Sequence, residues 1–286
     1  MVVMPKHNIK PRKVKKLFVN LFIYSIINWL KFVLSVMVKY TINKAFEKKF
    51  SSPIWKIEAD TDARLLAIET RNQVDTTPSF HVIDFEGHSL MDDFRLKTKE
   101  WTLAEIQKDY LILKKIGANA PQASGILVVH IPSRHIAHEW HHYLLVDIFK
   151  NVLKVRHHTI SAGFEEYLSL SSGQHLRLPE IDIAYCSNHI NFPLAYNGIL
   201  PDFLQKKEHE DTIWISKVKH NFIWCYHTRA ENGYTLDILL SDKFKELQKM
   251  TVLDNMIKMI PQPYFQINEQ LFLMSYNKQE IVSYLV

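Results

Sequence analysis

The chain has 286 residues, a hydrophobic fraction of 47% and an aromatic fraction of 12%, which exclude a disordered chain and indicate an ordered globular body. The net charge of +5 is concentrated in residues 1–16, which contain six basic residues and no acidic one. No basic face with interleaved aromatic residues follows, so nucleic acid is not an expected partner. The two cysteines, Cys186 and Cys225, exclude a disulfide framework.

The first predicted element is an apolar helix over residues 17–38, within a basic N-terminal segment over residues 1–43. Its length is close to the roughly 20 residues that cross a bilayer, but Lys31 interrupts it. Three interpretations remain open: a membrane anchor, a helix packed on the body, and an upstream extension with natural initiation near Met37. The protein is therefore expected in the cytoplasm, or at the inner membrane if the segment is an anchor.

After this segment, short β-rich runs recur in pairs along the chain. Each run has the length of a strand, and several alternate apolar and polar residues. The five pairs are 64–71 with 79–87, 110–116 with 125–133, 151–159 with 165–173, 221–229 with 234–242, and 270–277 with 280–286. A further strand is predicted to open each unit, over 54–60, 100–106, 143–149, 212–218 and 263–267.

The spacing of these pairs predicts the fold. Three of the four separations between successive pairs lie near the roughly 40–50 residues of one four-stranded propeller blade. The third separation is longer and leaves room for an insertion or a degenerate blade. We therefore predict an all-β, β-propeller-like array of five four-stranded antiparallel blades over residues 44–286, or six with a degenerate blade. The run 280–286 is predicted to pair with a strand near 44–60, since the termini of propellers usually meet in one blade.

The turns between these strands contain few glycines. Only seven glycines are present in the whole chain, which is few for an all-β repeat protein. Asparagine and aspartate tolerate left-handed backbone better than most other residues. Left-handed turn positions are therefore predicted for Asn72, Asp75, Asn151 and Asn232.

Four stretches together carry a resemblance to a known family: IWKIEADTDARLLAIETRNQ, SFHVIDFEG, the dipeptide EW at 100–101, and PQASGILVVHIPSRHIAHEW. Over about residues 50–286, and most clearly over 54–140, the chain resembles an uncharacterised domain-of-unknown-function family from Bacteroidota whose members look propeller-like. The resemblance implies the fold and the lineage, and it brings no activity or catalytic residue. It also implies a β-hairpin whose outer strand ends at Trp140.

Residues 138–142 spell H-E-x-x-H, the zinc motif of many metallopeptidases. On a helix, His138 and His142 would bind one zinc ion, Glu139 would act as the general base, and Glu166 would be a third ligand. On a strand the same two histidines stand roughly 13 Å apart, which is too far to share an ion. The preceding run SGILVVHIPS favours a strand, so we expect residues 135–142 to be extended.

The other candidate residues are Glu69 and Arg71, which alternate on one face of the run 64–71. An ion pair across strands is the favoured interpretation, and lining of a central channel is the alternative. Four tryptophans near the blade boundaries are predicted to pack between blades, with ligand stacking as the alternative: Trp55, Trp101, Trp140 and Trp214. We predict a non-enzymatic binding or scaffold module without a cofactor, for an unknown protein or small-molecule ligand. A zinc-dependent hydrolase is the alternative function.

Overall fold

The structure is a computed structural model that describes residues 41–116, 124–160, 164–177, 183–186 and 189–286. Residues Ile42–Val286 form one compact unit. This unit is nearly all β and contains several four-stranded antiparallel sheets, as predicted. The predicted helix over 17–38 lies outside the described residues. Within those residues, no helix has the length and apolar character needed to span a bilayer.

The first three sheets are each built from four strands that are consecutive in the sequence. Sheet 1 contains β2 (Ile54–Asp60), β3 (Leu65–Arg71), β4 (Pro78–Asp84) and β5 (Ser89–Arg95). Sheet 2 contains β6 (Trp101–Gln107), β7 (Tyr110–Lys115), β8 (Ile126–His130) and β9 (His135–Trp140). Sheet 3 contains β10 (Tyr143–Phe149), β11 (Val152–His157), β12 (Glu165–Ser169) and β13 (His175–Leu176).

The other two sheets each contain a fifth strand of two residues at one edge. Sheet 4 contains β16 (Glu210–Val218), β17 (Asn221–Ala230), β18 (Gly233–Ser241) and β19 (Glu246–Met256), with β15 (Leu194–Ala195) beside β16. Sheet 5 contains β20 (Phe265–Ile267), β21 (Gln270–Met274), β22 (Glu280–Leu285) and β1 (Asn43–Lys49), with β14 (Ile190–Asn191) beside β20. One short helix, α1 (Asp202–Gln205), precedes β16.

Sheet 5 joins the two ends of the described unit. The C-terminal strand β22 pairs antiparallel with β1, from Asn43 opposite Leu285 to Lys49 opposite Glu280. The prediction that the C-terminal run pairs with a strand near residues 44–60 is therefore confirmed. Because β1 supplies the outer strand of a sheet otherwise made by the C-terminal residues, this pairing ties the first described strand to the last.

The hydrophobic core lies between neighbouring sheets. Strand β3 shows why, since successive side chains of a strand point to opposite faces. Leu65 and Ala67 are buried in the core shared with sheet 2, whereas Leu66 and Ile68 are buried in the core shared with sheet 5. A continuous apolar run is therefore needed in this strand, because both of its faces are covered.

Further cores join sheet 2 to sheet 3 and sheet 4 to sheet 5. Sheets 3 and 4 share no core cluster within the described ranges. The face of Trp224 and Tyr226 in sheet 4 is covered instead by Tyr196, Leu200 and the helix residue Leu204. The long connection between β13 and β16 therefore takes the place that a neighbouring sheet occupies elsewhere.

The hairpin between the first and second strand contains one left-handed residue in every sheet. These five positions are Arg64, Lys108, Asn151, Lys219 and Asn268, with φ between 47° and 60°. The prediction of a left-handed backbone is confirmed at Asn151 and wrong at Asn72, Asp75 and Asn232. Asn72 and Asp75 accept hydrogen bonds from the backbone two residues later, which shapes their turn without a positive φ.

Candidate functional site

The H-E-x-x-H residues lie on and just beyond a strand, as expected. His138 and Glu139 belong to β9, where they pair with Val128 and Leu127 of β8, and His142 follows the end of the strand. The helical repeat that would bring His138 and His142 to one side is absent. The ring of His138 is instead 3.1 Å from the carbonyl oxygen of Ser171, to which Nε2 can donate a hydrogen bond.

The other residues of the zinc interpretation have separate partners. Glu166 accepts a hydrogen bond of 2.9 Å from the Tyr143 hydroxyl and lies 3.0 Å from Nδ1 of His175. The carboxylate of Glu139 lies 3.5 Å from His141. Among the described residues, no group of three His, Cys, Asp or Glu side chains is arranged to hold a metal ion. The described residues therefore do not support the zinc alternative, because the strand separates the residues that a helix would gather.

Glu69 and Arg71 form an ion pair at the junction of sheets 1 and 2. The carboxylate of Glu69 is fully buried and accepts hydrogen bonds of 2.7 Å from Arg71 Nε, 2.7 Å from Thr102 Oγ1 and 2.8 Å from Leu103 N. Arg71 also donates to the carbonyl oxygen of Trp101 at 2.9 Å. The pair thus fastens β3 to β6. A channel-lining role for these two residues stays a prediction.

The first strands of sheets 1, 2 and 3 carry acidic side chains that influence one another. Glu105 of β6 is affected most. Burial raises its pKa to about 7, and the carboxylates of Glu58 and Asp60 on β2 and of Asp147 on β10 add to the increase. A hydrogen bond of 2.9 Å from Gln107 opposes it. Three sheets therefore bring acidic side chains close together beside their first strands.

The connection between sheets 3 and 4 also passes along these first strands. Its Tyr185 hydroxyl donates a hydrogen bond of 2.6 Å to Asp147, and the carbonyl oxygen of Ala184 accepts one of 2.7 Å from Lys150 N. Farther along, β14 pairs with β20 and β15 pairs with β16. The connection therefore contacts the first strands of sheets 3, 5 and 4 in turn.

An apolar cavity of about 430 Å³ opens where sheets 1 and 5 meet this connection. Its volume lies within the range of small-molecule sites, about 300–1,000 Å³. Three separate segments supply its walls. The lining side chains come from Ile54, Trp55, Lys56, Ile57 and Ala59, from Ile190 and Phe192, and from Ile260–Phe265, Phe272, Met274 and Lys278.

Two aromatic side chains at this cavity are unusually exposed. Trp55 is 65% exposed and Phe192 is 56% exposed. Apolar side chains are common on protein surfaces, but two large rings lining one apolar cavity form a patch of the kind that marks a binding site. The Arg71 guanidinium carbon lies 5.4 Å from the centre of the Trp55 ring. Arg71, which forms the ion pair with Glu69, therefore also contacts the exposed indole.

Trp55 was predicted to pack between sheets, and this prediction is wrong. The other three tryptophans behave as expected: Trp101 is buried between sheets 1 and 2, and Trp140 and Trp214 pack against the cores of sheets 2–3 and 4–5. The difference is visible in the burial of β2, where Ile54 is buried but Trp55 is exposed. The register between β2 and β3 shifts between Ile54 and Lys56, so Trp55 lies at an irregularity of the strand, and only the fold shows that it borders a cavity.

Sequence reasoning missed Phe192 and the two prolines of the cavity because they lie in irregular segments. Phe192 lies in the connection that contained the least regular pattern, and Pro261 and Pro263 lie in the loop before β20. The available signal was the sequence IPQPYF, in which prolines hold a short apolar segment out of strand pairing. This signal marks a rigid loop but does not identify its neighbours.

Comparisons with known proteins place the chain in no family. No protein-family model matches it, and no curated protein matches it. It shows weak similarity to solved structures. Chaetomium thermophilum Raptor aligns with 11% identity and a TM-score of 0.36, over 85% of this chain and 29% of that one.

Two further structures show weaker similarity. The β-propeller domain of the Trilobed protease from Pyrococcus furiosus, described as having an open velcro topology, aligns with 9% identity and a TM-score of 0.31, over 82% of this chain and 81% of that one. The endo-arabinase from Bacteroides thetaiotaomicron aligns with 11% identity and a TM-score of 0.24, over 83% and 92%. Identities this low carry no activity from one protein to the other.

Proposed function

We propose that this protein is a non-enzymatic binding module whose binding site is the apolar cavity between sheets 1 and 5. The observation that carries the proposal is the pair of exposed rings, Trp55 and Phe192, at a cavity of about 430 Å³. Burying such rings under a ligand would remove apolar surface from water, at about 25 cal/mol per Å². A protein partner inserting one apolar side chain and a small molecule would use the same surface.

The proposal includes the arrangement of the sheets as five blades of a propeller. Four shared cores in the order 3–2–1–5–4 support it, as does the pairing of β1 with β22. The gap between sheets 3 and 4, filled by the connection, fits a five-bladed array with an insertion better than six blades. Membrane association through residues 17–38 and the Bacteroidota lineage stay separate predictions.

A neutral fluorescent probe tests the binding site. We expect Nile red to bind the full chain with increased fluorescence, and Trp55→Ala and Phe192→Ala each to weaken its binding by about three- to ten-fold, since each removes roughly one aromatic contact. Phe244→Ala is the matched control, because Phe244 is 88% exposed and does not line the cavity. If Phe244→Ala weakens binding as much as the cavity variants do, the probe binds elsewhere and the proposal fails.

A further inference from the structure

Beside the apolar cavity lies a smaller one of about 210 Å³ that continues it. Five residues line both cavities: Ile260, Pro261, Gln262, Met274 and Lys278. The two cavities therefore adjoin, with Trp55 lining the larger one and Lys258 lining the smaller one. One apolar ligand could occupy both.

The charged side chains that line the two cavities are all basic. Three lysines line the two cavities, and no aspartate or glutamate does. Lys56 is already engaged, since its ammonium group lies 2.8 Å from Glu58 and donates to the carbonyl oxygen of Leu103 at 2.9 Å. Lys258 and Lys278 are exposed, and neither forms an ion pair with a described residue. Two ammonium groups are thus available at the rim.

We propose that the ligand is a small apolar molecule that carries one anionic group, a medium-chain carboxylate being the simplest member of the class. This inference rests on the proposed function, because the apolar part of the ligand would occupy the same cavity. The charged end would lie at the rim beside Lys258 and Lys278, where it keeps part of its hydration. No arginine lines either cavity. The site therefore offers point charges rather than the fork of donors that grips phosphate groups in pairs.

Two probes of equal chain length, one with an anionic and one with a neutral head group, test the inference. Decanoate and decanol have the same chain length, and only decanoate is ionised near neutral pH. Calorimetric titration of the full chain at low salt is expected to show decanoate binding about three- to ten-fold more tightly than decanol, since two exposed ion pairs each contribute modestly. This preference should shrink at high salt, because exposed charges are screened.

Two sets of lysine variants locate the effect. Lys258→Gln combined with Lys278→Gln is expected to abolish the preference for decanoate over decanol. Lys243→Gln, an exposed lysine that does not line the site, should keep the preference. Circular dichroism checks that the double variant remains folded. If the double variant retains the preference, the charge is bound elsewhere, for example by the basic residues 1–16, and the inference is overturned.

The outcomes separate this inference from the proposed function. Equal binding of decanoate and decanol would overturn the inference and leave the apolar binding site standing. Absence of binding by both probes would overturn the proposed function and the inference with it. Tighter binding of decanoate that depends on the two lysines and on salt would support both.

Discussion

Glu69→Ala is expected to lower the free energy of unfolding by about 3–5 kcal/mol, the range for breaking a buried ion pair from one side. The variant leaves the Arg71 guanidinium without its carboxylate and the buried Leu103 N–H without its acceptor. It also removes the two hydrogen bonds that Glu69 accepts from Thr102 and Leu103 of β6. For a domain of this size the melting temperature should fall by roughly 6–20 °C. Thermal or urea unfolding followed by circular dichroism measures the change.

An exposed ion pair provides the control for this variant. Glu86 lies 2.7 Å from Arg64, with about half of each side chain exposed. Glu86→Ala is expected to change stability by less than about 1 kcal/mol, because water replaces the lost partner. If Glu69→Ala is as mild as Glu86→Ala, the carboxylate does not hold sheets 1 and 2 together as described.

Glu105→Gln is expected to stabilise the protein at about pH 8 and to have little effect near pH 4.5. Burial and the neighbouring carboxylates raise the pKa of Glu105 to about 7. The folded state therefore binds a proton over a pH range in which the unfolded state, with its ordinary pKa of 4.5, has lost it. Stability consequently falls as the pH rises through this range, and the loss is complete above about pH 7.

Glutamine is neutral and similar in shape to the protonated carboxyl group of Glu105. The variant should therefore not lose this stability as the pH rises. After allowance for screening of a half-buried group, we expect a gain of about 1–2 kcal/mol at about pH 8, equivalent to roughly 2–8 °C in melting temperature. Thermal unfolding at the two pH values measures it, with the exposed Glu86→Gln as the control. A gain of equal size at both pH values would contradict the account, because the effect would not depend on ionisation.

The sequence predicted the strands best where two faces of a strand had to be covered. The run LLAI in β3 is apolar throughout because it packs against two sheets, and β7, β8 and β18 follow the same pattern. Outer strands such as β5 and β19 were missed, because their residues are mostly exposed and carry little hydrophobic signal. The left-handed position at Lys108 was missed because lysine has no special preference for that conformation.

The binding site was much harder to predict than the fold. Glu69 and Arg71 stood out because they alternate on one strand, but the ion pair that they form lies within β3 and not across strands as predicted. Trp55, Phe192 and Pro261 lie far apart in the sequence, and no periodic pattern relates them. Their association depends on how sheet 5 closes against sheet 1 and on the course of an irregular connection. The H-E-x-x-H run misleads for a related reason: a motif implies chemistry only in the secondary structure that positions it.

A fluorine NMR titration tests the central claim, that apolar ligands occupy the cavity beside Trp55. The protein is labelled with 5-fluorotryptophan, and Trp55→Phe identifies the resonance of Trp55 among the six tryptophans. On addition of decanol, we predict that this resonance shifts progressively to saturation while that of Trp224, buried in sheet 4, stays in place. An unchanged Trp55 resonance at saturating decanol would contradict the account.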